Sequence, residues 1–310
     1  MTAEGGGGGI AVLRHPPNIK FVPSGIERGL RYLESSTLIE TINLSGRCNL
    51  GCRHCAQDFK RDGPEMEFSK VKKMLSFRDL RFKDCIELAG GEPMNYLNDE
   101  YNIASVVGLL AKKELTVTIC TNGISKGQAV AQEAIEDLRG YAKGTSFVLS
   151  FHLFRGKPEG AVAKAINSVN LMNKCGIPIS GIVVTYCEKN ENDTKKLYDS
   201  VVKETGLSVD YLATGSSGKL EYRLITSFGR GANLTEGRGI SDKSIRNCRT
   251  MKDYVKLSIG PEGGVTTCCL LIAPPTPVAN VFEHTWSGII KSVSEYQNAL
   301  YAHHQNKPED

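Results

Sequence analysis

Cys48-Asn49-Leu50-Gly51-Cys52-Arg53-His54-Cys55 places three thiols within eight residues, spaced C-x3-C-x2-C. Three thiolates can hold three corners of a cubane iron–sulfur cluster, which ordinarily takes four cysteines. Where no fourth protein ligand completes the set, one iron stays open. An open iron binds a small molecule and can pass it an electron, so the spacing points to redox catalysis. Zinc is the competing reading, because Cys52-x-x-Cys55 is also zinc spacing. A structural zinc wants four ligands, and no second C-x-x-C occurs in the chain.

The flanks suit a converging loop. Leu38-Ile-Glu-Thr-Ile-Asn-Leu44 before it is rich in strand-forming residues. Gly46 and Gly51 let the backbone bend, and Asn49 suits a turn. Two later segments carry similar strand-then-turn patterns. Ile86-Glu-Leu-Ala-Gly90-Gly91-Glu92-Pro93 reads as a buried strand ending in a turn whose two glycines allow close approach to a ligand. Val117-Thr-Ile-Cys120-Thr121-Asn122-Gly123 reads as a strand followed by a turn.

Taken in order, these three segments resemble the signature of the radical S-adenosylmethionine (SAM) superfamily. The resemblance implies a 4Fe-4S cluster on Cys48, Cys52 and Cys55 whose open iron chelates the amino and carboxylate groups of SAM. It implies reductive cleavage of SAM to methionine and a 5′-deoxyadenosyl radical, which abstracts hydrogen from a substrate. The Gly90, Gly91, Glu92 and Pro93 turn would bind the SAM amino group, with Thr121 and Asn122 also at the cofactor. Ser150, near the end of a fourth strand, would meet the ribose or methionine part. Many relatives carry an acidic residue near this point. His152 departs from that and is the candidate catalytic acid or base. Arg155 offers a fork for the SAM carboxylate, against the alternative of a solvated loop charge.

Strand candidates at 38–44, 85–89, 115–120, 146–152, 179–186 and 208–213 alternate with helix candidates beginning near Glu67, Asp99, Lys126, Glu159 and Glu191. Near-continuous apolar runs such as Ile179–Tyr186 suggest strands covered on both faces. Repeated βα units mean an α/β fold with a parallel sheet and right-handed crossovers. They match a partial (β/α)6 radical SAM barrel, with ligands at the C-terminal strand ends. The expected division is a flexible segment at 1–30 containing the Gly5–Gly9 run, the barrel at 31–215, and a small C-terminal α+β extension at 216–310.

In that extension Cys248 precedes a hairpin, Tyr254 to Cys269, turning at Pro261-Glu-Gly-Gly264. This resembles the start of the SPASM or twitch extensions, truncated here because no cysteine follows Cys269. An auxiliary iron–sulfur cluster would draw on Cys248, Cys268, Cys269 and Cys187; the other reading packs these thiols as small apolar residues. Cys85, Cys120 and Cys175 are expected in the core. Trp286 to Gln305 has the spacing of a closing helix.

Composition narrows the partners. The 38 basic and 34 acidic residues leave a net charge of +4, too modest to imply nucleic acid. No apolar run is long enough to span a membrane. Without an evident secretory signal, ten cysteines fit a reducing cytoplasm. The expected substrate is a peptide or a small metabolite, undergoing oxidation or bond formation, with a flavodoxin- or ferredoxin-type electron donor. A non-enzymatic iron–sulfur or zinc protein with a structural or sensory site is the alternative, and it would bind no SAM.

Overall fold

The computed structural model describes residues 37–50, 61–123, 128–152, 158–186, 199, 203–204, 221–224, 256–267 and 277–305, with backbone alone over 128–131, 151–152, 158–165, 182–186, 221–224 and 298–305. The strands are β1 (Leu38–Ser45), β2 (Phe82–Gly90), β3 (Leu97–Asn98), β4 (Tyr101–Asn102), β5 (Thr116–Thr121), β6 (Thr145–His152), β7 (Ile179–Tyr186), β8 (Glu221–Leu224), β9 (Lys256–Ile259), β10 (Gly264–Thr266) and β11 (Ala279–Asn280). The helices are α1 (Phe68–Ser76), α2 (Ile103–Ala111), α3 (Gln128–Leu138), α4 (Pro158–Lys174) and α5 (Trp286–Gln305).

Among the described residues, nine strands form one sheet in the order β11-β10-β9-β1-β2-β5-β6-β7-β8. It is parallel from β9 to β8, and antiparallel only at β10 and β11. From β1 to β8 each new strand joins the same side of the last. With crossovers of one hand, that order puts the connecting helices on one face of the sheet. The fold is thus α/β with a mostly parallel sheet.

Period-2 alternation divides the side chains accordingly. Ile42, Leu88, Ile119 and Phe147 stand in register across β1, β2, β5 and β6 and are fully buried. They share one core with Val71 and Met74 of α1, Val107 and Leu110 of α2, Leu138 of α3 and Val169 of α4. The alternate positions, among them Cys85, Glu87, Thr118, Cys120, Ser146, Ser150 and Ser180, are only half-buried. The expectation of strands covered on both faces is therefore corrected. One face is apolar and packed, the other polar and partly open. Cys175 is in the core as expected, but Cys85 and Cys120 are not. Their sulfurs lie on the polar face, within 3.5 Å of the Thr118 hydroxyl and 3.3 Å of the Glu87 carboxylate respectively.

Two element boundaries move. The helix expected near Asp99 begins at Ile103, because the β3–β4 hairpin occupies the intervening residues and the Asn102 side chain caps α2 at the amides of Ala104 and Ser105. Asn98 in that hairpin accepts from the Phe68 amide at 2.8 Å and so caps α1. The candidate strand 208–213 and the helix start at Glu191 lie outside the described residues. The described strand beside β7 is β8, past residue 215.

The expected C-terminal hairpin is present as β9 and β10, and its first strand pairs in parallel with β1. Glu40, at a bulge in β1, binds Lys83 of β2 and Lys256 of β9, tying three adjacent strands. α5 buries Trp286, Ile289, Ile290 and Val293 in the common core. Among the described residues no helix is long and apolar enough to cross a membrane.

Candidate active site at the strand ends

The chain leaves β1 at Ser45 and enters the cysteine loop. That loop is closed at its base by a backbone seam. The Met66 amide donates to Leu44 O at 2.8 Å and the Gly46 amide to Pro64 O at 2.6 Å, flanking a Ser45–Glu65 bridge. The approach is too close for side chains: a Cβ on Gly63 would lie 2.3 Å from Gly46 O. Ser45 Oγ donates to Glu65 Oε2 at 3.3 Å and accepts from the Arg47 amide at 2.9 Å. Arg47 adds Nε to Gly63 O at 3.2 Å and an ion pair to Glu65 at 3.7 Å. Burial raises the Glu65 carboxyl above its ordinary value, with Arg47 pulling against it. Within the loop, Cys48 Sγ accepts from the Leu50 amide at 3.4 Å. Cys52 and Cys55 lie outside the described residues.

The Gly90–Pro93 turn packs on the other side of the same segment. The Gly91 amide donates to Ser45 O at 2.6 Å and the Glu92 amide to Arg47 O at 2.8 Å. Gly90 has a φ of 118°, and a Cβ on Gly91 would lie 1.8 Å from Arg47 O. The close approach that demands glycine here is therefore made to the cysteine loop's own backbone. Pro93 is buried and opens a short 3-10 turn.

Glu92 is 1% exposed. Its Oε1 accepts from the Met94 amide at 3.0 Å and the Thr121 hydroxyl at 2.5 Å, and its Oε2 from the Asn122 amide at 2.8 Å. Burial pushes its carboxyl up to about 7 despite these three donors. Asn122 then donates from Nδ2 to Asn49 Oδ1 at 3.1 Å, inside the cysteine motif. The Thr121 hydroxyl accepts from the Gly123 amide at 3.1 Å, and Ser168 of α4 donates to Gly123 O at 2.6 Å. Hydrogen bonds thus join the ends of β1, β2 and β5 into one unit.

Of the other expected site residues, Ser150 is half-buried near the end of β6. The His152 backbone closes that strand in register with Thr185. Arg155, Cys187, Cys248, Cys268 and Cys269 lie outside the described residues. Among the described residues no three His, Cys, Asp or Glu side chains converge to hold a metal. The sequence reading missed Glu65, Glu87 and Ser168, and took Asn49 only as a turn residue. Glu87 had a readable signal, a charge inside the otherwise apolar run Cys85–Ala89. Glu65 and Ser168 had none, since both act through partners distant in sequence.

No curated protein sequence matches the chain. Among solved structures, the chain is similar to Streptococcus suis SuiB bound to precursor peptide SuiA, at 16% identity and a TM-score of 0.52, with 85% of this chain and 66% of that one covered. SuiB bound to S-adenosylmethionine aligns at 15% identity and a TM-score of 0.47, covering 78% of this chain and 63% of that one. SuiB alone aligns at 17% and 0.48, over 76% and 61% respectively. The chain thus spans less than two thirds of the length of these structures, and at such identity the likeness to the peptide-bound form speaks for the fold. Residues 42–201, which hold all three motifs, match the sequence model of the Radical SAM superfamily over more than half of the chain. The chain belongs to the radical SAM superfamily.

Proposed function

We propose that the chain is a radical SAM enzyme acting by hydrogen abstraction on a peptide. The observation that carries this is the hydrogen-bonded union of the cysteine loop, the Gly90–Pro93 turn and the Thr121–Asn122 turn at one end of the parallel sheet. Ligands in such folds bind at the C-terminal strand ends. The donor set fits a 4Fe-4S cluster: three cysteines share a loop closed at its base, and the sulfur of Cys48 accepts a backbone N–H, as a thiolate would. Cys48, Cys52 and Cys55 would hold that cluster, which when bound with SAM supplies the electron that yields methionine and a hydrogen-abstracting 5′-deoxyadenosyl group.

The chain's own residues bind and orient. The backbone of Gly90–Pro93 presents polar groups to the SAM amino group beside the cysteine loop. Glu92 acts as a positioning residue, because its carboxylate is engaged by protein donors. Thr121 and Asn122 hold the turn, and Ser150 faces the ribose or methionine part. His152 is the acid or base on the substrate side, and Arg155 the fork for the SAM carboxylate. Cys187, Cys248, Cys268 and Cys269 are the thiols available to an auxiliary cluster, which would draw an electron from a substrate radical. A flavodoxin- or ferredoxin-type protein would supply reducing electrons. The peptide reading is supported by the likeness in fold to SuiB with its precursor peptide.

The test is anaerobic reconstitution with iron and sulfide, iron counting, then dithionite and SAM with 5′-deoxyadenosine as the readout. About eight irons in the wild type, about four in a Cys48→Ala, Cys52→Ala, Cys55→Ala variant, and product only from the wild type are expected. About four and none would remove the auxiliary cluster. Zinc in place of iron, with SAM left intact, would overturn the proposal.

A further inference from the structure

We propose that Glu87, on the sheet face turned away from the helices, anchors a cationic group of the substrate, an ammonium or a guanidinium. This deepens the reading above, which places the reacting centre at the strand ends.

Glu87 lies in β2, in register with Thr41 of β1 and Thr118 of β5. A chain of hydroxyls continues the row: Thr118 Oγ1 and Ser146 Oγ are 3.1 Å apart, and Ser180 Oγ donates to Ser146 Oγ at 3.2 Å. Glu87, Thr118, Ser146 and Ser180 are half-buried, although β5 and β6 are interior strands of the sheet; Thr41, at the β1 end of the row, is buried. The polar row is therefore a surface, while its opposite face is core.

Among the described residues, no cation pairs with Glu87. Its Oε1 accepts from the Cys120 thiol at 3.3 Å, a weak donor. Among the described residues no hydrogen bond or ion pair reaches its Oε2. Two lysines on neighbouring strands, Lys83 and Lys256, both turn to Glu40 at the opposite end of the strands from the cysteine loop. A carboxylate on a partly desolvated face, with hydroxyl acceptors beside it and no counter-cation among the described residues, attracts a cation more strongly than the same group in bulk water. Glu87 stands three residues, about 10 Å, before Gly90 along β2. It would thus meet the far end of a long basic group entering from the strand ends, not the reacting atoms.

The test uses the full reconstituted chain and three probes of equal backbone: N-acetyl-lysinamide, N-acetyl-argininamide and N-acetyl-norleucinamide, followed by saturation-transfer NMR. The basic probes should bind about tenfold more tightly than the norleucine probe, and more weakly as salt rises. Glu87→Gln should abolish the preference and Glu87→Asp should keep part of it, each variant checked by circular dichroism. Equal binding of the norleucine probe, or an unchanged preference in Glu87→Gln, would overturn the proposal. The probes need no turnover, so 5′-deoxyadenosine is measured in parallel. Loss of product with the preference intact would count against the radical enzyme alone; product without the preference would count against Glu87 alone.

Discussion

Two ties hold the strand ends together, and they are built from different materials. The first is a seam of backbone hydrogen bonds in which residues 44–47 are gripped by 63–66 on one side and by 90–92 on the other. The second is the Glu92 latch, where one buried carboxylate joins the end of β2 to the end of β5. A backbone seam is indifferent to most side chains but fails wherever a Cβ intrudes. A side-chain latch tolerates its neighbours but depends on one residue and on its protonation.

The largest effect should come from breaking the seam at Gly91. A methyl group there would fall 1.8 Å from Arg47 O, and backbone cannot swing aside as a side chain can. Gly91→Ala is expected to cost more than about 3 kcal/mol and to abolish iron uptake on reconstitution. Gly144→Ala, at a position with nothing within 4 Å, should stay within about 0.5 kcal/mol in the same denaturant titration. Equal behaviour of the two variants would refute the seam.

Next in size is the latch. Glu92→Ala leaves the Met94 and Asn122 amides and the Thr121 hydroxyl without their acceptor, at a cost of about 2 to 4 kcal/mol. Glu92→Gln should lose less, because its carbonyl still satisfies one side while its amide meets donors on the other. Urea midpoints of the three proteins order these effects.

Protonation sharpens the comparison, because the latch is itself a carboxyl group whereas the seam's hydrogen bonds are backbone to backbone. The folded carboxyl of Glu92, near 7, lies above the unfolded value of 4.5. Between those values the folded state holds a proton that the unfolded state has released. The contribution is fully present below pH 4.5, falls as pH rises to about 7, and is flat above, with a slope of at most about 1.4 kcal/mol per pH unit. Subtracting the Glu92→Gln stability profile from the wild-type profile should isolate that fall; a level difference across the window would contradict it.

The smallest effect belongs to the seam's ornament. Arg47 is 56% exposed in its side chain, and its pair with Glu65 spans 3.7 Å. Arg47→Ala should cost less than about 1 kcal/mol in urea, and iron content should hold.

Much of this was legible because it is local. The cysteine spacing, the Gly-Gly-Glu-Pro turn and the Thr-Asn-Gly turn are short runs whose chemistry is read without knowing what lies opposite, and the strands ending in them fell where expected. The closing helix from Trp286 to Gln305 was equally plain from its spacing. Cys85 and Cys120 misled, because apolar neighbours in sequence alternate across a strand and do not surround a side chain in space. The start of α2 misled because Asn102, three residues beyond the expected start near 99, caps the first helical amides with its side chain, while the residues before it form the β3–β4 hairpin.

By itself the sequence determined the α/β alternation, the three motifs and their order, because hydrophobic period and turn chemistry act over a few residues. Only the tertiary structure decided that Gly91 serves the cysteine loop's backbone, that Glu92 looks inward to β5, and that Glu87 meets the Cys120 thiol on the sheet's polar face. Each of those depends on which groups from distant segments arrive within hydrogen-bonding distance. The register between strands sets that, and no single strand carries its own register.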